Sequence, residues 1–154
     1  MPDLSVNLVP ATAEDAESLA ELRVLAMQPS LERLGRFDPQ RARHRFLSTF
    51  EPRLTRHVEA GGERVGFVVV RPHEEGWLLD HFYIHPDHQD RGIGATVLLY
   101  VFREADQAGQ PIRVGALRES DSNRFYVRYG FRLVQEAEWD LYYVRDPEPP
   151  GSFA

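Results

Sequence analysis

Three features of the sequence predict an α/β (α+β) fold, in which a mixed, mostly antiparallel sheet is flanked by about four helices. Apolar residues recur at helical spacing up to Phe50, and the period shortens to that of strands between Arg56 and His85. A long amphipathic stretch, Gly92 to Ala108, then crosses over before strands resume. The predicted order is β-α-α-β-β-β-α-β-α-β-β. Short turns make consecutive strands antiparallel, and the helix between the fourth and fifth strands is a crossover connection.

Each element has a local reason. Leu4–Val9 alternates weakly and is bounded by Pro10, as an opening strand. Thr12 and Asp15 form a helix-start signature. Ala16, Leu19, Ala20, Arg23 and Met27 share one face of a helix to about Gln28, where Pro29 is expected to stop it. Ser30–Phe37 reads as a connection, and Asp38-Pro39, a cap followed by a first-turn proline, opens a shorter helix through Phe50. Arg56–Ala60 and Glu63–Arg71 read as a hairpin around Gly61-Gly62, with Val65–Val70 apolar enough for a buried central strand. Pro72–Gly76 is expected to turn the chain into a strand over Trp77–His85, and Pro86–Arg91 to form a loop. The helix from Gly92 turns Val97, Leu98, Val101, Phe102 and Ala105 inward and ends at Gly109. Ile112–Leu117 is a strand and Ser122–Tyr129 a short helix closed by Gly130. Phe131–Val134 and Trp139–Val144 are the final strands.

At 154 residues, 42% of them apolar, one domain is expected over residues 1–145, with 146–154 a flexible proline-rich tail. The absence of cysteine excludes disulfides, zinc–thiolate clusters and thiol nucleophiles. Eighteen basic residues, all arginine, against 24 acidic ones give a net charge of −6, which argues against a general positive field for nucleic acid or anionic lipid. The opening residues do not make a secretory signal, and no apolar run approaches the ~18 residues of a membrane span. A cytoplasmic chain with no nucleic-acid and no membrane partner is the expectation.

The most informative stretch is His85-Pro86-Asp87-His88-Gln89-Asp90-Arg91-Gly92-Ile93-Gly94-Ala95. It runs strand, glycine-bearing loop, helix, the arrangement in which free amides at a helix start meet an anion. Gly92 and Gly94 admit a phosphate without a Cβ in its way, and Arg91 adds a cation able to fork onto phosphate oxygens. No Gly-Lys-Ser/Thr follows, so it is not a P-loop, and no third small residue completes a dinucleotide fingerprint. An ordinary strand–turn–helix junction stands beside the anion reading on spacing alone.

The pattern Gln89-x-x-Gly92-x-Gly94, preceded by Tyr83-Ile84-His85-Pro86, resembles the acyl-CoA pyrophosphate loop of the GNAT superfamily of N-acetyltransferases. The block Ser120-Asp121-Ser122-Asn123-Arg124-Phe125-Tyr126-Val127-Arg128-Tyr129-Gly130-Phe131 resembles that family's closing FYxxxGF helix. The two blocks stand in the family's order and spacing, and the resemblance covers about residues 4 to 145. It implies a splayed sheet and acetyl-CoA as co-substrate. The amides of Gln89, Asp90, Arg91, Gly92, Ile93, Gly94 and Ala95 would hold the pyrophosphate. A backbone N–H near Ile84 would stabilise the oxyanion. Tyr126 would protonate the departing thiolate, and Ser120 and Ser122 would touch the cofactor. Ser120 stands where many relatives carry a longer Asn.

Acetyl transfer to an amine also needs a proton acceptor, since alkylamines are ammonium at neutral pH. Asp80 occupies the position where the family often places a carboxylate, and His81 is its rival. On a strand Asp80, Phe82 and Ile84 face one way while Leu79, His81, Tyr83 and His85 face the other. A polar pair tying strand to helix is the structural alternative for both. No metal is expected: His81 and His85 on a strand lie roughly 13 Å apart at ~3.3 Å per residue. In the connection after the first helix, Arg33 and Arg36 with Phe37 are candidates for an acceptor bearing a carboxylate and an apolar group, or are solvated surface residues. The reading is an N-acetyltransferase for a primary amine of a small molecule. Its alternatives are a CoA-binding sensor without turnover, a protein or peptide amine acetyltransferase, and a nucleotide- or phosphate-binding domain. The aromatic strand Trp139–Val144 is a candidate homodimer edge.

Overall fold

A computed structural model describes residues 5–149. Among the described residues four α-helices and seven strands are formed, the strands in the order β1-β2-β3-β4-β5-β7-β6. The chain forms two compact units. One runs to Val69 and takes in His81–Leu98, and the other holds Val70–Asp80 and the described residues from Leu99 onward.

In the first unit β1 (Val6–Pro10) pairs antiparallel with β2 (Thr55–Ala60), which pairs antiparallel with β3 (Glu63–His73) with an irregularity between Val58 and Glu59. Helices α1 (Ala16–Arg33) and α2 (Pro39–Leu47) close one core. Leu19 and Ala20 of α1, Phe46 of α2, and Phe67 and Val69 of β3 are buried together, with Leu22, Leu47, Phe50 and Tyr83 packed at the margin. The ring of Phe46 meets that of Phe67 edge-on at 5.2 Å, a favoured aromatic geometry.

The entry to α1 is a 3-10 turn at Ala13–Asp15, and its Asp15 carboxylate gathers four donors. The Thr12 amide and hydroxyl donate to it at 2.9 and 3.2 Å, the ring of buried His57 on β2 lies at 2.9 Å, and Arg64 on β3 reaches it at 3.5 Å. The His57 hydrogen bond, more than any other contact, holds the Asp15 carboxyl down at about 2. One side chain therefore caps a helix and ties it to two strands.

The end of α1 corrects the expectation at Pro29. The helix runs through that proline to Arg33. The stop is Gly35 (φ 67°): the Arg36 amide bonds to the Leu31 carbonyl at 2.8 Å and the Gly35 amide to the Glu32 carbonyl at 2.9 Å, a Schellman close. A proline removes the hydrogen bond to the carbonyl four residues back, here Leu25. Leu25 is solvent-exposed, so water can take that role. The next helix opens as expected, with the Asp38 carboxylate accepting from the amides of Gln40 and Arg41 at 3.1 and 3.2 Å, but it ends at Leu47 rather than Phe50.

In the second unit the far half of β3 continues through Pro72 to His73, and a two-residue turn at Glu74-Glu75 leads into β4 (Gly76–Ile84), a shorter turn than Pro72–Gly76. β4 pairs parallel with β5 (Ile112–Leu117) through Trp77–Leu79 and Ile112–Val114. That parallel step needs the crossover helix α3 (Ile93–Ala108). Helix α4 (Ser122–Arg128) precedes β6 (Arg132–Glu136) and β7 (Asp140–Arg145). β7 pairs antiparallel with both β5 and β6, so the aromatic strand proposed as an exposed edge has neighbours on both sides, and β6 is last in the order. Buried Arg145 forks onto Asp106 of α3 at 2.8 and 3.1 Å and lies 3.9 Å over the Phe102 ring. Those bonds hold the Asp106 carboxyl below its ordinary range. Among the described residues no helix is long and apolar enough to cross a membrane. Leu4 of the expected opening strand and residues 150–154 of the expected tail lie outside the described residues.

Two outcomes follow. A Cβ at Gly66 would strike the Tyr83 carbonyl oxygen and sit 2.9 Å from Ile84 Cδ1. Gly66→Ala is expected to cost about 1–3 kcal/mol in urea unfolding, because backbone must move. The Asp15 carboxyl is lower in the folded state than in the unfolded chain, so its stabilisation is complete above about pH 5 and is lost as pH falls towards 2. Asp15→Asn is expected to lower the unfolding free energy at pH 7 and to flatten its decline between those limits, measured by urea titrations across pH.

Candidate active site

In the first unit the end of β4 hands the chain to the glycine-bearing loop. The His85 amide donates to the Val65 carbonyl at 2.7 Å, which keeps the strand end on β3. The Gln89 side-chain amide reaches back to the Ile84 carbonyl at 2.9 Å, so this residue holds the loop against the strand. His85 Nδ1 accepts from the Asp87 amide at 3.0 Å and fixes the 3-10 turn Pro86–His88.

Beyond it the backbone alternates in hand. Asp90 (φ 64°) and Gly92 (φ 78°) are left-handed, while Gln89 (φ −74°) and Arg91 are not. Alternation of this kind turns successive N–H groups into one concavity that suits an anion. The helix ladder of α3 begins with the Thr96 amide on the Gly92 carbonyl at 3.1 Å, so the amides of Ile93, Gly94 and Ala95 precede it. Gly94 and Ala95 lie in that first turn, where the helix dipole also favours negative charge. Arg91 is exposed and makes no ion pair among the described residues. Backbone donors, one cation and no nearby Cβ at Gly92 fit a phosphate group.

Residue alternation along β4 separates the two proton-acceptor candidates. His81 is buried in the first unit, edge-on to Phe46 at 5.3 Å, with its Nδ1 3.2 Å from the Tyr83 hydroxyl. That hydroxyl accepts from Nε of Arg23 at 3.1 Å. Asp80, in the second unit, accepts from Arg71 Nε at 2.9 Å, an ion pair between neighbouring strands that is half-buried on both sides. The pair joins two strands, not a strand to a helix as the polar-pair alternative had it.

Also in the second unit, Tyr126 is buried on α4. Its ring packs on Phe131 at 5.3 Å, Phe125 at 5.6 Å and Tyr143 at 6.4 Å. Asn123, which the sequence reading passed over, organises this region. Its amide donates to the Leu117 and Ser120 carbonyls at 2.8 and 3.0 Å, and its oxygen accepts from the Tyr143 hydroxyl at 2.8 Å. It thereby ties the end of β5 to α4 and β7. Burial, and then the Glu136 carboxylate, push the Tyr143 phenol up. Ser120 Oγ lies 3.4 Å from Asn123, and Ser122 is exposed at the first turn of α4. The signal for Asn123 was present: an amide residue six positions after a strand end and at the start of a short helix is placed to bond loose carbonyls.

Of the acceptor candidates, Arg33 is the last residue of α1 and donates to Ser30 Oγ at 3.2 Å, rather than standing in a connection. Arg36 and Phe37 follow Gly35 and are part-buried. Among the described residues no three His, Cys, Asp or Glu side chains gather as a metal site.

Comparison with known proteins completes the picture. A family model described as an acetyltransferase (GNAT) domain matches residues 54–133. The fold is similar to that of the PaiA N-acetyltransferase from Thermoplasma acidophilum in complex with coenzyme A, at 18% identity and TM-score 0.77 over 93% of this chain and 99% of that one. An acetyltransferase from Thermus thermophilus is 25% identical with TM-score 0.71, over 95% and 99% of the two chains. The ribosomal-protein-S18-alanine N-acetyltransferase from Escherichia coli is 13% identical with TM-score 0.71, over 97% and 99%.

Asn123→Ala removes the partner of the buried Tyr143 hydroxyl and one of the two donors at each of the Leu117 and Ser120 carbonyls, which keep the backbone amides of Ser120 and Asn123. It is expected to cost about 1–3 kcal/mol in urea unfolding, more than Tyr143→Phe, which removes one bond only.

Proposed function

The chain belongs to the GNAT acetyltransferases, and on that premise we propose that it moves an acetyl group from acetyl-CoA to a primary amine of a small molecule by direct transfer. The observation that carries this is the backbone alternation at Asp90, Arg91 and Gly92 ahead of the unclaimed amides of Ile93, Gly94 and Ala95. These amides, with Arg91, would hold the CoA pyrophosphate. The PaiA enzyme of similar fold, crystallised with coenzyme A, supports the same assignment.

Acetyl-CoA supplies the activated acyl group. In the transfer a C–N bond forms to the acceptor nitrogen, the C–S bond breaks, the nitrogen gives up a proton, and the thiolate takes one. We assign the first proton to His81 by way of the Tyr83 hydroxyl, because the imidazole Nδ1 and that hydroxyl are already 3.2 Å apart in a buried setting. Asp80 is engaged by Arg71, which favours His81 between the two candidates. Tyr126 is assigned the second proton by the family resemblance. Its ring is held by three aromatic neighbours, which supports a fixed donor.

The test is thiol release from acetyl-CoA across a panel of small amines, amino acids and short peptides, the peptides separating the protein-acceptor reading. Tyr126→Phe and His81→Gln are expected to lower kcat by tenfold or more, in the range of general acid–base effects of about 10²–10⁴. Asp80→Asn is expected to change it less. Unaltered turnover in Tyr126→Phe removes the acid assignment. Gly94→Val should weaken CoA binding by more than tenfold, about 1.4 kcal/mol, in calorimetry. Unchanged affinity there removes the cradle.

A further inference from the structure

The described residues hold two buried arginines, and their surroundings differ. Arg145 has a bidentate carboxylate. Arg23, on the apolar face of α1, is 4% exposed and has none: its Nε donates to the Tyr83 hydroxyl and its Nη1 to the Ala42 carbonyl at 2.6 Å. A guanidinium keeps its charge and carries five N–H donors, so those two bonds leave three. Removing a charge from water costs several kcal/mol, and neutral oxygens repay less of that than a carboxylate does.

The unused donors have a direction. No buried side-chain nitrogen or oxygen among the described residues lacks a hydrogen-bond partner, yet Nη2 of Arg23 makes no hydrogen bond. Nη2 is therefore not fully enclosed, in a residue that is only 4% exposed. The terminal edge of the guanidinium, formed by Nη1 and Nη2, is the edge that grips a carboxylate in two parallel bonds.

We propose that Arg23 binds the carboxylate of the acceptor, which makes the acceptor an amino-acid-class amine. This rests on the acetyl-transfer reading, and it names the substrate class of that reaction. Arg23 Nε and His81 Nδ1 share the Tyr83 hydroxyl, at 3.1 and 3.2 Å. A carboxylate on Arg23 thus sets the amine of the same small molecule beside the group assigned to take its proton. Polyanionic acceptors fit less well, because the chain carries a net charge of −6.

The experiment pairs each amino acid with its carboxamide as acceptor in the thiol-release assay. In parallel, N-acetyl amino acids and their carboxamides are titrated calorimetrically into wild type, Arg23→Gln and Arg23→Lys. Wild type is expected to favour the acid over the amide at least tenfold, in KM and in binding. Arg23→Gln should lose that preference, read within the variant as the ratio of acid to carboxamide in kcat/KM and in binding. Arg23→Lys, which keeps the charge but not the fork, should lie between them. Equal use and binding of acid and amide by wild type overturns the proposal without needing any variant. So does an acid preference that survives in a folded Arg23→Gln. Acid-selective binding that depends on Arg23, with no turnover on any amine, upholds the carboxylate site and overturns the transferase reading instead. Turnover without acid preference does the reverse.

Discussion

Strict alternation of side chains along β4 is the constraint on which the chemistry of this chain depends. A strand cannot send adjacent residues to the same side. His81 and Tyr83 therefore join the α1–α2 core of the first unit, while Asp80 meets Arg71 on the neighbouring strand in the second. Gly66 lets β3 pass the Tyr83 carbonyl without a collision, and the Val65 carbonyl fixes the His85 amide. The strand end is thus held to β3 where the glycine-bearing loop begins. A one-residue slip would exchange the buried histidine for a carboxylate and move the Tyr83 hydroxyl away from Arg23.

The loop also shows how local and global electrostatics part company. A chain of net charge −6 has no general field with which to draw in a phosphate. Any affinity for one must come from short-range donors: backbone amides oriented by alternating φ at Asp90, Arg91 and Gly92, the first turn of α3, and one exposed arginine. Such donors discriminate by geometry, since they cost little to hold in place and act only within hydrogen-bond range. The same reasoning separates Arg23 from the surface arginines. It is buried and bonded to two neutral oxygens, with no carboxylate beside it.

Local punctuation was legible in the sequence; long-range pairing was not. Asp38-Pro39 and Gly109 marked helix ends because their chemistry acts within one turn, and Gly92 marked the left-handed turn ahead of α3. Pro29 misled, since one lost hydrogen bond is a small penalty beside an apolar face that continues past it, and the true stop at Gly35 lay six residues on. Asp15 was visible as a cap, but its bond to His57 joins residues 42 positions apart and no local pattern encodes it. Arg23 stood in plain view as a charge within an apolar stripe. Its meaning required knowing that Ala42 and Tyr83 surround it and that no carboxylate does.

The central claim is that the amides from Asp90 to Ala95 grip a diphosphate. It is tested most directly by titrating coenzyme A into isotope-labelled protein and following each backbone amide by nuclear magnetic resonance. The largest shifts are expected at residues 90–95, saturating with a single affinity, and they should shrink when the probe lacks the diphosphate. Shifts centred elsewhere, or none at these amides, would contradict the account.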